Sequence, residues 1–463
     1  MHHFIFPTQD TWISSGSSII DGESFKDQNF GQDPILEIKK EFFNLSFDYQ
    51  TRALVQFDLT EISNSLDKGD ISRLTLDNNT TGSKFYLRLF EAEGNKELST
   101  EYKLSAFPIS QSWDEGRGKF GDKPKVTNGC SWENRSFPTN GTAVSWSNAD
   151  GTPYVGTGVN IAIGSFNASQ SFSYQSPDVE MDVTSIVNGW LDGTINGGNN
   201  YGFLVRFSGS QETDEQTFGQ LKFFSSNTHT IYAPKLEVRW DDSSHSPGTQ
   251  TPLTSSGLVD NLLYMPNLRD SYKEDEKVKF RVNARERNIQ KTFSRSVQNL
   301  SSSYIGSGTG SYSILDVATG ETIVPFSNYT SMSCDSEGNY FIQWLNGFFP
   351  DRVYKIIYKL KYTDGQEHIL DNINQFTDNP QATLQENSKT IRDGLIRVGL
   401  QNEEEKLLLF QNDVEANEAD ILANVNYGGD ETPFATSLSS LVDYINNYLQ
   451  LSEDDGTTLI KPS

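Results

Sequence analysis

Alternating apolar and polar residues run through much of the chain and predict β-strands. In residues 53–59 every second side chain is apolar, and the same pattern returns in residues 85–89. Further on, Leu236, Val238 and Trp240 alternate with charged residues. Because successive side chains of a strand point to opposite faces of a sheet, each segment would bury one face. Segments rich in Gly, Asn and Asp separate the strands and supply the turns.

One short helix interrupts this pattern. Ile186, Val187 and Trp190 share a helical face, and Asp182 stands where an N-cap would. An isolated helix of this length is marginal in water, so its apolar face should pack on the sheets and close one end of a sandwich. We therefore predict a mainly β fold that starts with a jelly-roll-like β-sandwich over residues 1–240.

A change of composition after this sandwich marks a domain boundary. Residues 241–257 are rich in Ser, Thr, Pro and Gly, cannot build a core, and predict a linker. Strand patterns return in residues 258–378, notably in 277–284 and 354–362, where apolar and aromatic residues alternate mainly with Lys and Arg. Several strands with turn signals in so short a span predict an Ig-like β-sandwich.

The last part of the chain, residues 379–463, is acidic and takes on helical spacing. Its clearest apolar stripe consists of Leu438, Leu441, Val442, Ile445 and Leu449. Thr436 or Ser437 would cap the helix. We predict a small, partly helical extension that packs its stripe on a neighbour or on another subunit, because it is too short to bury much surface alone.

The charge and cysteine content exclude several classes of partner and environment. With 37 Lys and Arg against 62 Asp and Glu, the formal net charge is −25, which opposes binding to a nucleic-acid backbone. No window approaches the roughly 18 apolar residues of a membrane span, and the first residues lack the pattern of a secretion signal. Cys130 and Cys334 lie far apart, so we expect two reduced thiols and folding in a reducing cytosol.

An ordered series of short motifs runs along the first 240 residues. The series is Asp10-Thr11-Trp12-Ile13, Asn29-Phe30-Gly31, residues 52–59, Trp113-Asp114-Glu115, and residues 182–190, 200–205, 223–226 and 234–238. In this order it resembles the DNRLRE-type domain, a β-sandwich related to carbohydrate-binding modules and found in cell-surface and phage proteins. Residues 128–174 are longer and richer in Asn, Gly and Ser than in that family, so no binding residue is carried over there.

Residues 270–282, 333–341 and 346–356 resemble regions of virion structural proteins of tailed phages, notably large myophages. The two resemblances together imply a tail, baseplate or neck component, assembled in the host cytoplasm with other virion proteins. Such parts form symmetric homo-oligomers. Our main functional prediction is therefore a non-enzymatic scaffold or docking unit of a virion. The alternative is a carbohydrate-binding module for attachment to the host surface.

The sequence shows no catalytic constellation. The His2-His3 pair lies at what reads as an untethered end, and none of the five histidines has metal-ligand spacing. Glu115 could serve a glycosidase, but such an enzyme needs a second carboxylate about 5 to 9 Å away. The simpler interpretation is that Trp113 packs on the sandwich and the acidic residues after it lie in a turn. We predict no enzyme and no cofactor.

A calcium site remains an alternative in one turn-rich loop. Asp192 could bind Ca²⁺ together with Asn196, Asn199 or Asn200, since carboxylate and amide oxygens are the ligands that calcium prefers. The spacing is not that of an EF-hand, and solvated turns explain the same residues.

The long insertion also contains candidate sugar-stacking residues. Trp132, Trp146 and Tyr154 could each offer a ring face to a glycan if they are exposed. The competing interpretation is that they belong to the core, as most aromatic residues of a β-sandwich do.

Overall fold

The computed structural model divides the chain into two compact units, Met1–Pro380 and Gln381–Ser463. The structure describes residues 1–378 except for 19–21, 44–45, 69–81, 94–100, 148–165, 174–177, 254–260, 274, 287–301 and 362–364. The helical extension predicted for residues 379–463 lies outside the described residues. The described part of the chain is mainly β, as the sequence predicts.

Fourteen of the described strands lie in the first 240 residues. They are β1 (His2–Ile5), β2 (Pro7–Ser14), β3 (Ile35–Phe43), β4 (Ser46–Phe57), β5 (Lys84–Leu89), β6 (Glu91–Glu93), β7 (Glu101–Pro108), β8 (Asn134–Ser136), β9 (Val144–Ser145), β10 (Ala168–Ser173), β11 (Val179–Asp182), β12 (Phe203–Phe207), β13 (Gly219–Phe224) and β14 (Lys235–Arg239). The helices described there are α1 (Thr60–Asp67), α2 (Thr184–Leu191) and α3 (Gly209–Thr213).

Two antiparallel sheets form the first sandwich. The smaller has the order β1-β14-β5-β11, and the larger has the order β10-β7-β12-β4-β3-β13-β6, with β2 also paired to β4. One apolar core joins them and contains Val55, Leu87, Leu236 and Val238, all fully buried. These residues belong to the alternating segments of the sequence, so the period-two pattern correctly identifies the inner faces of the strands.

Helix α2 packs its predicted face into this core. Ile186, Val187 and Trp190 are buried, and the Trp190 ring meets Phe203 edge-on with 4.9 Å between centroids. The predicted cap is one residue off, because Val183 occupies the N-cap position. Asp182 still serves the first turn, since its Oδ1 accepts a hydrogen bond from the backbone N of Thr184 at 3.0 Å.

A second, smaller core covers the opposite face of the large sheet. It consists of Ile13, Leu54 and Leu204 from the strands, with Ile109, Trp113, Cys130, Trp132 and Trp146 from the segment that follows β7. This segment therefore folds back over the sheet and buries its three tryptophans, Trp113, Trp132 and Trp146. Both cysteines are buried and unbridged, as expected for reduced thiols.

The second module also pairs two sheets around one core. Its strands are β15 (Asn261–Tyr264), β16 (Ser271–Tyr272), β17 (Lys277–Glu286), β18 (Gly310–Asp316), β19 (Thr322–Val324), β20 (Ser333–Asp335), β21 (Gly338–Trp344), β22 (Val353–Lys361) and β23 (Glu367–Asp378). The sheet orders are β15-β17-β21-β20 and β16-β23-β22-β18-β19. Phe280, Val282, Tyr312 and Tyr358 lie in the shared core. The Ig-like topology remains a prediction.

Strand β1 ties the two sandwiches together. It pairs with β14 of the first sandwich, yet the Phe4 side chain is 2% exposed and lies in the core of the second. The Gln343 amide donates to the His2 carbonyl at 2.9 Å, and the Asn346 amide donates to the Phe4 carbonyl. The prediction that the His2-His3 pair is untethered is wrong, because backbone pairing and the Glu237 carboxylate, 2.5 Å from His2 Nδ1, hold this strand in the interior.

The predicted linker is docked rather than extended into solvent. The backbone of Ser244 accepts from Cys334 N at 2.8 Å, Ser246 N donates to the Cys334 carbonyl at 2.8 Å, and Leu253 N donates to the Tyr304 carbonyl at 2.7 Å. A chain poor in apolar residues is thus held by main-chain hydrogen bonds along the second sandwich. Within the described residues no helix has the length and apolar character to cross a membrane.

Candidate functional site

Two of the three predicted sugar-stacking residues, Trp132 and Trp146, do not present open ring faces. Trp132 and Trp146 are 4% and 1% exposed in the small core over the large sheet, and the Trp146 indole donates to the Ser131 carbonyl at 2.9 Å. The Arg52 guanidinium additionally covers the Trp132 ring at 4.7 Å. Tyr154 lies outside the described residues. A glycan-binding surface therefore cannot rest on Trp132 or Trp146 as they stand in this structure.

An exposed aromatic ring occurs elsewhere in the first sandwich, at Phe120. Its side chain is 55% exposed, the largest value among the exposed phenylalanines of the described chain. The ring rests on Phe25, Phe30 and Trp12, with centroid distances of 5.6, 6.5 and 6.1 Å. Trp12 and Phe30 in turn stack at 3.8 Å. The Phe120 ring is therefore backed by a packed aromatic cluster, which holds one face in place and leaves part of the ring open.

Phe120 borders a cleft of about 220 Å³ on the large sheet. The cleft is lined by Trp12, Asp33, Ile35, Glu37, Glu93, Phe120 and Lys222. Ile35 and Glu37 lie on the face of β3 opposite the core residues Leu36 and Ile38, because side chains alternate along a strand. The volume is below the roughly 300–1,000 Å³ of drug-sized pockets, so the cleft suits a single ring-sized group.

Two carboxylates form the inner wall of this cleft. Asp33 Oδ2 accepts hydrogen bonds from the Trp12 indole at 3.3 Å and from the Phe120 backbone N at 3.2 Å. Glu37 is 8% exposed and accepts from the Gln220 amide. Burial raises the pKa of both carboxyl groups above their usual values. The hydrogen bonds to Asp33 therefore fix the carboxylate and the Phe120 backbone in one arrangement.

The rim of the cleft carries an ion pair. Lys222 stands opposite Glu37 in the β3–β13 register, but its ammonium group binds the Glu93 carboxylate. The cleft thus combines an open aromatic ring, carboxylate acceptors and a lysine donor. This combination suits a ligand with one apolar ring face and polar edges.

The sequence pattern does not reveal this cleft. Phe120 is an isolated apolar residue in a turn of Gly, Lys and Asp, and Asp33 lies in a turn before β3. The one indication in the sequence is Phe120 itself, because a single large apolar residue in a polar loop is more often exposed than an apolar residue in a strand pattern.

A larger and more polar cleft of about 710 Å³ lies beside the end of α2. Its lining includes Asp58, Thr60, Trp190, Asp192 and Asn200. Among the described residues that line it, the aromatic rings of Phe57 and Trp190 are closed to solvent, at 1% and 3% exposed.

Two of the residues proposed for calcium, Asp192 and Asn200, border this larger cleft, but the side chains of all the proposed residues have structural roles. Asp192 accepts from the Thr194 backbone N at 2.9 Å. The amides of Asn196, Asn199 and Asn200 donate to backbone carbonyls at 2.8, 2.8 and 2.7 Å. Among the described residues no group of three or more His, Cys, Asp or Glu is arranged to hold a metal ion.

Glu115 does have a carboxylate neighbour, Asp10. The Asp10 backbone N donates to Glu115 Oε1 at 3.1 Å, and burial raises the pKa of Glu115 to about 7, with a smaller contribution from the charge of Asp10. Asp10 is 1% exposed, and Ser225 and Ser226 donate hydrogen bonds to its carboxylate. A substrate could not reach the second carboxylate of this pair without displacing those serines.

Comparison with known proteins identifies one similarity. The sequence model of carbohydrate-binding module family 96 matches residues 3–178, which supports a carbohydrate-binding-module-like domain in this part of the chain. No curated protein and no solved structure matches the chain. The match includes every residue that lines the Phe120 cleft except Lys222.

Proposed function

We propose that the first sandwich, which is similar to a carbohydrate-binding module over residues 3–178, binds a glycan in the Phe120 cleft. The observation that carries the proposal is the open Phe120 ring beside Asp33 and Glu37. An aromatic face packs against the C–H groups of a sugar ring, while carboxylates accept hydrogen bonds from its hydroxyls.

The role of Phe120 is testable by substitution. Phe120→Ala should weaken glycan binding at least about tenfold, which corresponds to about 1.4 kcal/mol, because removal of an anchoring aromatic residue costs on the order of 2 kcal/mol. Phe218→Ala is the matched control, because Phe218 is 46% exposed in the same sandwich but does not line the cleft. The measurement is retention on a glycan array, followed by calorimetric titration of the best ligand. The proposal fails if the wild-type protein retains no glycan, or if Phe120→Ala binds as tightly as Phe218→Ala.

The second candidate function is a rigid structural component of a larger assembly, such as the tailed-phage virion that the sequence resemblance implies. What supports it is the junction between the two sandwiches, which is formed by strand β1. The backbone of Phe4 pairs with the first sandwich, and its side chain is buried in the core of the second. The virion location, the virion partners and the homo-oligomer remain predictions. Mass spectrometry of purified particles tests them, and a chain that is absent from particles and monomeric in solution would contradict them.

Carbohydrate-binding modules are non-catalytic, which agrees with the prediction of a non-enzymatic first sandwich. For the whole chain the absence of catalysis remains a prediction. Assays for released reducing ends on every glycan that the protein retains would test it.

A further inference from the structure

Phe120 lies in a long connection without regular secondary structure. Residues 110–133, which we call the Phe120 loop, follow β7 and form neither helix nor strand. Since no sheet ladder holds this loop, its position depends on individual hydrogen bonds to its backbone. Three of these bonds come from one side chain, that of Asn29, which is fully buried.

The Asn29 amide uses all of its hydrogen-bonding capacity. Its Nδ2 donates to the backbone carbonyls of Glu115 and Cys130, at 2.7 and 2.8 Å. Its Oδ1 accepts from the backbone N of Gly118 at 2.8 Å and from that of Gly31 at 3.1 Å. An amide side chain has two N–H donors and an oxygen with two lone pairs, so all four positions are occupied. The partners in the loop lie before and after the exposed phenylalanine in the sequence, and Asn29 therefore ties both sides of the loop to one point.

Two glycines allow the backbones to come this close. A β-carbon at Gly118 would lie 2.2 Å from the backbone oxygen of Asn29, and a β-carbon at Gly31 would lie 2.1 Å from that of Glu115. Both distances are well below the roughly 3.3 Å of a close carbon–oxygen contact. A side chain at either position would therefore push the Phe120 loop away from Asn29.

The same stretch of chain supports the Phe120 ring. Phe30 follows Asn29 in the sequence, and its ring centroid lies 6.5 Å from that of Phe120. Asp33 accepts a hydrogen bond from the Phe120 backbone N at 3.2 Å. Asn29 itself does not line the cleft, so it can affect a bound ligand only through the residues that it holds.

We propose that Asn29 is the positioning residue of the Phe120 cleft and holds the Phe120 ring in its binding position before a glycan arrives. This inference rests on the proposed carbohydrate-binding function and adds the residue on which the shape of the cleft depends. A ring that is already in place loses little conformational freedom on binding, whereas an unanchored loop has to be ordered by the ligand at a cost in affinity. Without the Asn29 amide, two carbonyls and two N–H groups lose a buried partner, and the loop should open to hydrate them.

The test compares Asn29→Ala with Asn339→Ala. Asn339 is the matched control because it is 1% exposed in the second sandwich, where its amide accepts from Ile305 N at 2.7 Å and donates to the carbonyls of Ile305 and Ser333, both at 3.2 Å. Both changes remove a buried, hydrogen-bonded amide, so both should lower the melting temperature, but only Asn29→Ala should act on the cleft. Gly118→Ala displaces the same loop while Asn29 stays unchanged, and it decides the outcome if Asn29→Ala does not fold.

The first measurement is glycan affinity below the melting temperatures of all variants. Calorimetric titrations use the oligosaccharide that the wild type retains most strongly on a glycan array. Asn29→Ala and Gly118→Ala should bind it about tenfold more weakly or worse, and Asn339→Ala should bind it as the wild type does. In a protein that already carries Phe120→Ala, the additional change Asn29→Ala should weaken binding no further, because Asn29 acts through that ring.

The second measurement follows the loop without a ligand. Trypsin should cleave after the exposed Arg117 and Lys119 about tenfold faster in Asn29→Ala than in Asn339→Ala, with the fragments identified by mass spectrometry. The inference is overturned if folded Asn29→Ala binds as tightly as the wild type, if Asn339→Ala weakens binding equally, or if the two variants are cleaved at the same rate. Glycan binding that depends on Phe120 but not on Asn29 leaves the proposed function intact, whereas a wild-type protein that retains no glycan refutes both.

Discussion

Replacing Phe4 by alanine should weaken the connection between the two sandwiches more than any comparable change on the same segment. The ring is 2% exposed, packs in the core of the second sandwich, and lies directly against Gly347, where a β-carbon would overlap it. Because a ring in this position leaves a cavity that its neighbours cannot easily fill, the free energy of unfolding should fall by about 3–5 kcal/mol. Most of this loss should appear in the second sandwich and at the junction.

The matched control for this change is Phe6→Ala, two residues further along the chain. Phe6 is 37% exposed and meets Phe349 edge-on at 6.4 Å, so its removal should cost about 1–2 kcal/mol, less than the removal of Phe4. Urea unfolding followed by tryptophan fluorescence and by circular dichroism measures both variants. For Phe4→Ala we expect the two probes to separate, since the sandwiches would then unfold in distinct steps. Equal losses for the two variants would refute the assignment of Phe4 to the second core.

Two further predictions concern a titrating carboxyl group and a metal. Glu115 has a pKa of about 7 in the folded protein against an ordinary 4.5, so folding favours its protonated form and stability falls as the pH rises from about 4.5 through 7. Glu115→Gln should therefore be more stable than wild type at pH 8, by on the order of 1 kcal/mol because the group is only partly buried, and equal to it near pH 4. Urea unfolding at both pH values measures the difference in stability, and a difference that does not change with pH would contradict this. Thermal melts in EDTA and in millimolar Ca²⁺ should coincide, because Asp192 Oδ1 and Asn200 Oδ1 already accept backbone hydrogen bonds, and a higher melting temperature in Ca²⁺ would restore the calcium alternative.

The strands are predictable from the sequence because burial of one face follows directly from the pleat. Val55, Leu236 and Val238 are fully buried, in the alternating segments that predict them, and α2 buries the face that its spacing indicates. The prediction fails where the burying surface comes from far along the chain. The sequence around His2 indicates a polar chain end. In the structure the His2 side chain is instead buried against the carboxylate of Glu237, which lies in β14.

Aromatic residues in irregular segments show the same limit. Trp132 and Trp146 stand in a turn-rich stretch without a period, so the sequence leaves both burial and exposure open for them. Their burial follows from a long-range fact, which is that Leu54 and Leu204 make the outer face of the large sheet apolar as well. Within the described part of the chain no apolar surface covers Phe120, which is 55% exposed. The Phe120 cleft also brings together residues from five separate parts of the chain, and the spacing of residues in the sequence does not show that they meet.

The proposed ligand-binding cleft and the junction formed by β1 lie in different parts of the fold. The cleft is built on β2, β3, β13 and β6 of the large sheet and on the turn that carries Phe120, whereas the junction uses β1, which pairs with β14 in the small sheet. The hydrogen bonds that attach β1 to the second sandwich come from Gln343 and Asn346, and neither residue lines the cleft. Weakening the contact between the sandwiches should therefore leave the contacts within the cleft in place. Phe4→Ala should consequently keep the wild-type glycan affinity below its melting temperature, while Phe120→Ala should keep the wild-type stability of the second sandwich. Loss of glycan affinity in folded Phe4→Ala would mean that the two features are coupled, and that the second sandwich helps to shape the binding surface.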